Sequence, residues 1–321
     1  MSSLKVLITD HPWPDLDIET KILAPQDVEL VDAPDADEET LVSLAADVDV
    51  IITCWGEVTE RVIRSAKNCR LICRMGIGLN NIDIPTASEL GIPVSNVPDY
   101  CIAEVADHTF ALLLAMTRNV AFFHMRTKQH EYDLSAGPPM YRLSRRRLGL
   151  IGFGRIGRAV YERALAFGLD VVAHSESGND YATNCQMVSL NELLTTSDII
   201  SLHAPLNEDT THLLDSEAFE KIKSGTILIN TSRGPLIDAD ALEAALASGK
   251  IAGAGLDVFE PEPPDLTLPL YHHENVIVTP HAAFVSEESV IELRERVADQ
   301  ILALLDGETP ENIVNSEQLR Q

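Results

Sequence analysis

The chain has 321 residues, 45% hydrophobic and 23% charged, with 24 basic against 50 acidic side chains and a formal net charge of −26. That length suits two domains, each with its own core, and the acidic balance excludes the basic footprint of a nucleic-acid binder and disfavours an anionic membrane surface. The short apolar stretch Val6-Leu7-Ile8 behind Met1-Ser2-Ser3-Leu4-Lys5 lacks the length and cleavage site of a signal peptide. No apolar run approaches the roughly 18 residues that span a bilayer. A cytoplasmic location is therefore expected. Cys54, Cys69, Cys73, Cys101 and Cys185 form an odd set without metal-ligand spacing. They read as reduced, buried thiols, with no metal site expected.

In chain order, apolar runs of strand length fall at 6–8, 48–53 and 71–73, with a helical segment at 59–66. A long helical segment follows at 102–129, carrying Ala103, Ala106, Phe110, Leu113 and Leu114 at helical spacing. Residues 132–143 read as a surface loop. Strands are then predicted at 148–151, 171–173, 199–202, 226–229, 253–256 and 276–278, and helices at 155–167, 191–196 and 239–247. A second long helix, 287–305, aligns Val290, Leu293, Val297, Ile301 and Leu304 on one stripe. Short continuous apolar strands alternating with helices indicate parallel sheets covered on both faces, so the fold class is α/β. The two long helices stand where one group of strands gives way to another. They predict an interrupted first domain, 1–99 with 285–321, and a second domain, 100–284, inserted into it.

Gly152-Phe153-Gly154-Arg155-Ile156-Gly157 is a G-x-G-x-x-G run that follows an apolar strand, opens a helix and precedes a second strand. This is the strand–turn–helix context of a dinucleotide site: a tight turn, close approach to a pyrophosphate, and close packing of helix on strand. Amides at the helix start then face the phosphates. An acidic residue is expected about 20 residues on, at the end of the second strand, to hold the ribose hydroxyls. Ser175 stands there instead, followed by Glu176. Serine leaves room for the 2′-phosphate of NADP, but no Arg or Lys follows before Lys221 and Glu176 would repel it. NAD is the favoured cofactor, with NADP open.

Three later segments each follow a predicted strand: Asn230-Thr231-Ser232-Arg233-Gly234, Asp257-Val258-Phe259-Glu260-Pro261-Glu262-Pro263 and Thr279-Pro280-His281-Ala282-Ala283. The carboxyl ends of parallel strands line the ligand crevice of such sheets, so these residues can converge there. Together with Arg74-Met75-Gly76-Ile77-Gly78-Leu79-Asn80-Asn81-Ile82-Asp83 and Asn96-Val97-Pro98, these motifs occur in order across nearly the whole chain. The sequence thereby resembles the D-isomer-specific 2-hydroxyacid dehydrogenases. The resemblance implies two Rossmann- or flavodoxin-like domains, the nucleotide-binding one inserted into the substrate domain, and a homodimer formed through the nucleotide domain.

The family's catalytic arginine, glutamate and histidine fall on Arg233, Glu262 and His281. Arg233 can orient a substrate carboxylate or carbonyl oxygen through paired N–H donors. His281 can give or take the proton at the substrate oxygen, with Glu262 on its other ring nitrogen. The resemblance also implies cofactor contacts at Asp257, to the nicotinamide carboxamide, and at Thr231 and His203-Ala204-Pro205. It implies a substrate carboxylate on the amides of the turn Gly76-Ile77-Gly78. Arg74 and the run from His281 to Glu287 are most similar to the C-terminal binding protein branch. In that branch a tryptophan takes the position of Phe284, an aromatic wall to which Trp55 would add. The expected activity is hydride transfer between the cofactor and a small 2-keto or 2-hydroxy acid such as glyoxylate or hydroxypyruvate. A dinucleotide-sensing interaction protein and a phosphoglycerate dehydrogenase are the alternatives.

Overall fold

The computed structural model describes residues 3–320; Met1, Ser2 and Gln321, where the expected outer domain begins and ends, lie outside the described residues. Contacts divide the chain into one unit of Met1–Tyr100 with Ser286–Gln321 and another of Cys101–Val285.

The first unit holds a parallel sheet of β1 (Leu4–Ile8), β2 (Val28–Asp32), β3 (Val50–Thr53), β4 (Leu71–Arg74) and β5 (Val94–Ser95), in the order β2-β1-β3-β4-β5. β3 and β4 are buried at every position, as continuous apolar runs in a covered sheet must be. β2, at the edge, is half-buried at three positions and exposed at Glu29 and Asp32, and its sequence carries no continuous apolar run. Helix Glu287–Leu305 returns to this unit, and the buried Arg294 guanidinium on it grips Glu19 at 2.9 and 2.7 Å. Asn315 pins the segment beyond that helix by accepting from the Val94 amide at 2.9 Å and donating to the Ile92 carbonyl at 2.9 Å.

The second unit carries β6 (Arg147–Ile151), β7 (Asp170–His174), β8 (Gln186–Met187), β9 (Ile199–Leu202), β10 (Thr226–Asn230), β11 (Ile251–Leu256) and β12 (Val276–Val278). They form one parallel sheet in the order β12-β11-β10-β9-β6-β7-β8. Running outward from β6 in both directions gives the Rossmann winding, and the first unit has the flavodoxin order. Apolar clusters built around Leu202, Leu228 and Phe219 and around Phe110, Leu148 and Val160 form its core. Ser189, Asp215 and Asp238 cap their helices by accepting from a first-turn amide.

The predicted helix 102–129 is two helices, Ile102–Thr117 and Val120–Lys128. Asn119 breaks it with a left-handed φ of 52°, and its side chain donates to the Pro138 carbonyl at 2.8 Å. Asparagine tolerates that backbone region better than most residues. Among the described residues no helix is long and apolar enough to cross a membrane.

Candidate active site

In the second unit, β6 and β9 are neighbours whose connections leave in opposite directions, which opens a crevice beyond their carboxyl ends. The glycine run fills the turn leaving β6. Gly152 has φ +95°, and a Cβ there would overlap the His203 carbonyl and lie 2.5 Å from the Ala204 amide nitrogen. A Cβ on Gly157 would overlap the Gly152 carbonyl. A Cβ on Gly154 would meet nothing within 4 Å. The first and third glycines are thus required by the protein's own packing. The middle one keeps a space open, as a pyrophosphate approaching the backbone demands. Gly154 also stands at the start of helix Arg155–Ala166 without a side-chain cap. The first-turn amides, at Arg155, Ile156 and Gly157, therefore remain available to an anion.

Around this turn, the His203 amide donates to Ile151 O at 2.7 Å, and Ser232 Oγ donates to Ala204 O at 2.6 Å, joining the segments after β6, β9 and β10. Pro205 follows in the same loop, where its carbonyl accepts from Thr210 Oγ1. Burial pushes the His203 imidazole down to about 3, so it is neutral, with Nε2 2.9 Å from Ser201 Oγ. Ser175 follows β7, its hydroxyl 3.5 Å from that of Ser177. The loop beyond it is held to the glycine-motif helix by Arg158, whose guanidinium lies 4.0 Å over the Tyr181 ring.

The three chemistry-bearing segments leave β10, β11 and β12, which are adjacent in the sheet. His281 Nδ1 lies 2.7 Å from Glu262 Oε2, and Glu262 Oε1 accepts from the Phe259 amide at 2.8 Å. Burial alone would raise the Glu262 carboxyl. The bond to His281, the charges of His281 and Arg233 and the Phe259 amide outweigh it and hold it below the ordinary carboxylate value. Arg233 Nη1 donates to Ser232 O at 2.7 Å. The Arg233 and Glu262 segments touch at Gly234, where a Cβ would overlap the Phe259 carbonyl. Phe284 sets its ring edge-on to His281, with centroids 6.2 Å apart. Thr231 Oγ1 meets Thr109 Oγ1 at 2.8 Å inside the protein.

Asp257, expected as a cofactor contact, is fully buried and bonds its own loop. Its Oδ1 accepts from Thr279 Oγ1 at 2.6 Å and the Ala282 amide at 2.9 Å, and its Oδ2 accepts from the Ala283 amide at 2.9 Å. His108 Nε2 approaches this cluster, 2.9 Å from Thr279 Oγ1 and 3.5 Å from Asp257 Oδ1. Nothing in the helical stripe marks His108 and Thr109, whose partners lie more than a hundred residues away.

In the first unit, Arg74 is buried and its Nη1 donates to the Met75 carbonyl. A Cβ on Gly76, at φ +146°, would strike that guanidinium. Arg74 therefore supports the glycine turn from within its own unit. Asn96 Nδ2 donates to Ile77 O at 2.8 Å, while the Ile77 and Gly78 amides have no acceptor among the described residues. Asp10 accepts from the amides of Cys54, Trp55 and Gly56, which fixes the loop carrying Trp55. Burial drives the Cys54 and Cys73 thiols up to about 12 and that of Cys69 to about 11, so none is a ready nucleophile.

A model of the "D-isomer specific 2-hydroxyacid dehydrogenase, NAD binding domain" matches residues 110–283. A glyoxylate reductase of Korarchaeum cryptofilum is 37% identical over 287 residues, 87% of this chain and 86% of the relative. A hydroxypyruvate reductase of Thermotoga maritima is 38% identical over 272 residues, 83% of this chain and 89% of the relative. Among solved structures, a D-lactate dehydrogenase from Aquifex aeolicus complexed with NAD and lactic acid matches with a TM-score of 0.87 at 29% identity, over 98% of this chain and 97% of that one.

Proposed function

The chain belongs to the D-isomer specific 2-hydroxyacid dehydrogenase family, and on that premise we propose that it reduces glyoxylate or hydroxypyruvate with His281 as the general acid. It is an oxidoreductase of the CH–OH group, working on small 2-hydroxy acids with a nicotinamide cofactor. When bound, that cofactor supplies the hydride for reduction or takes it up in oxidation.

The observation that carries the role of His281 is its 2.7 Å bond to Glu262. A carboxylate can only accept, so Nδ1 carries a proton and Nε2 is the nitrogen that exchanges one with substrate. In reduction the hydride arrives at C2 while Nε2–H passes its proton to the developing alkoxide; oxidation reverses both transfers. Glu262, held ionised by its surroundings, accepts the Nδ1–H hydrogen bond of His281 and so leaves Nε2 for the substrate. Arg233 orients the substrate carboxylate or carbonyl oxygen through paired donors. Gly154 with the amides of residues 155–157 would hold the pyrophosphate, in a turn whose close packing requires Gly152 and Gly157. NAD is favoured over NADP because Glu176, exposed beside Ser175, would repel a 2′-phosphate. We also place the enzyme in the cytoplasm as a homodimer. The apolar side chains of Val120, Met125, Tyr132, Leu134 and Tyr141, exposed along one segment of the second unit, support a second copy as its partner.

The test is a panel of 2-keto acids with NADH and NADPH, run on the wild-type protein and on His281→Ala. Glyoxylate or hydroxypyruvate with NADH should give the highest kcat/KM. His281→Ala should lose about 10²- to 10⁴-fold in turnover while still binding NADH. Near-normal turnover by that variant would sink the acid–base assignment. Binding of NADH with no turnover of any keto acid by the wild type would favour a dinucleotide-sensing interaction protein instead.

A further inference from the structure

His281 sits at φ +52°, a left-handed backbone that a residue with a Cβ adopts at a cost of about 1–2 kcal/mol. Its amide donates to Asp257 O at 2.8 Å and Thr279 O at 3.0 Å. The Asp257 carboxylate grips the loop on both sides: the Thr279 hydroxyl before His281, and the Ala282 and Ala283 amides after it. That clamp over-determines the strained position, as such conformations require.

The clamp has one more member. His108, on helix Ile102–Thr117, brings Nε2 to 2.9 Å from Thr279 Oγ1. A threonine hydroxyl has a single proton, and here it goes to Asp257 Oδ1 at 2.6 Å. Oγ1 therefore accepts from His108, which fixes Nε2 as the protonated nitrogen. The same nitrogen lies 3.5 Å from Asp257 Oδ1, the oxygen to which Thr279 donates. The next residue along the helix, Thr109, donates its hydroxyl to Val105 O at 2.8 Å and so accepts from Thr231 in the Arg233 segment. Two consecutive residues of one helix thus brace two of the three chemistry-bearing loops.

We propose that His108 is a positioning residue for hydride transfer: its Nε2–H closes the Thr279–Asp257 clamp and so aims the His281 imidazole. The proposal rests on the reading of His281 as the acid–base group.

Glutamine places an N–H donor near where histidine has Nε2, whereas leucine keeps bulk and loses the donor. His108→Leu should therefore slow single-turnover reduction of glyoxylate by about tenfold, below the roughly hundredfold loss that an ångström of misplacement can cause. KM and the Kd for NADH should stay within about twofold of wild type, since uniform binding is untouched. His108→Gln should restore most of the rate. Because the effect runs through Thr279, adding His108→Leu to Thr279→Val should cost little beyond Thr279→Val alone. A wild-type rate in His108→Leu overturns the proposal. So does a loss that glutamine fails to rescue, or one that adds in full to that of Thr279→Val. His281→Ala separates the two layers: if it is inactive while His108→Leu is normal, only the bracing role fails. If His281→Ala is itself normal, the acid–base reading fails first.

Discussion

Replacing Gly234 with alanine perturbs the triad without touching any of its members. The new Cβ would overlap the Phe259 carbonyl and lie 2.7 Å from the Phe259 Cα. Non-bonded carbons settle about 3.5–4.0 Å apart, so the Phe259 backbone must retreat by at least about 1 Å. Phe259 donates its amide to Glu262 Oε1 at 2.8 Å, and Glu262 Oε2 holds His281 at 2.7 Å. A retreat of that size breaks one bond or drags the carboxylate, and the imidazole follows. Overpacking of this kind costs about 1–3 kcal/mol of stability, while an ångström of misalignment costs on the order of 10²-fold in rate. The expected result is a Tm lower by a few degrees and a kcat about a hundredfold down, with the Kd for NADH nearly unchanged. Stopped-flow reduction of glyoxylate, differential scanning calorimetry and NADH fluorescence titration give the three readings. Wild-type kcat in a Gly234→Ala protein of unchanged Tm would refute the inference that this contact holds Glu262 and His281 in place.

Two further outcomes follow from the cofactor turn. Gly154→Ala should leave the Tm of the ligand-free protein unaltered, because its Cβ meets nothing within 4 Å, yet weaken NADH binding by about tenfold or more. Titration showing an unchanged Kd would mean that the open space is not the pyrophosphate's. His203 is neutral when folded because burial takes its pKa from 6.5 to about 3, so the unfolded chain binds the extra proton. Its contribution is complete above pH 6.5 and is lost as the pH falls from there towards 3; by pH 5 the loss is about 2 kcal/mol. Urea unfolding at pH 7 and pH 5 should show His203→Gln losing about that much less than wild type. Parallel losses in the two proteins would exclude His203 as the source.

The strands legible in the sequence were those with an uninterrupted apolar run, most of them buried like Val50–Thr53 or Ile199–Leu202, with the half-buried edge strand Val276–Val278 read from the same signal. The missed strands are at the margins. Val28–Asp32 leaves two of its five residues exposed, and Val94–Ser95 and Gln186–Met187 are too short to carry a period. The break at Asn119 was equally hidden, since the carbonyl that accepts from its side chain belongs to Pro138, in a loop whose course composition does not give. At the site, the glycine run and the three strand-end segments were readable because their spacing is local. His108 was not, because its partner Thr279 is 171 residues away. The family resemblance implies a cofactor contact at Asp257, while its part in clamping the 279–283 loop required the coordinates.

Arg233, Glu262 and His281 follow three strands that are consecutive in the chain and adjacent in the sheet. Only two right-handed crossovers separate the first of these side chains from the last. Pairings between chain neighbours close short loops and form early, whereas distant pairings must wait for longer closures. The reactive geometry therefore needs only the closures of β10 on β11 and of β11 on β12, each about half as long in sequence as the pairing of β6 with β9. The brace from His108 comes from the opposite end of that unit's sequence. Its closure, across 171 residues, is the longest of these contacts and by that ordering is expected late.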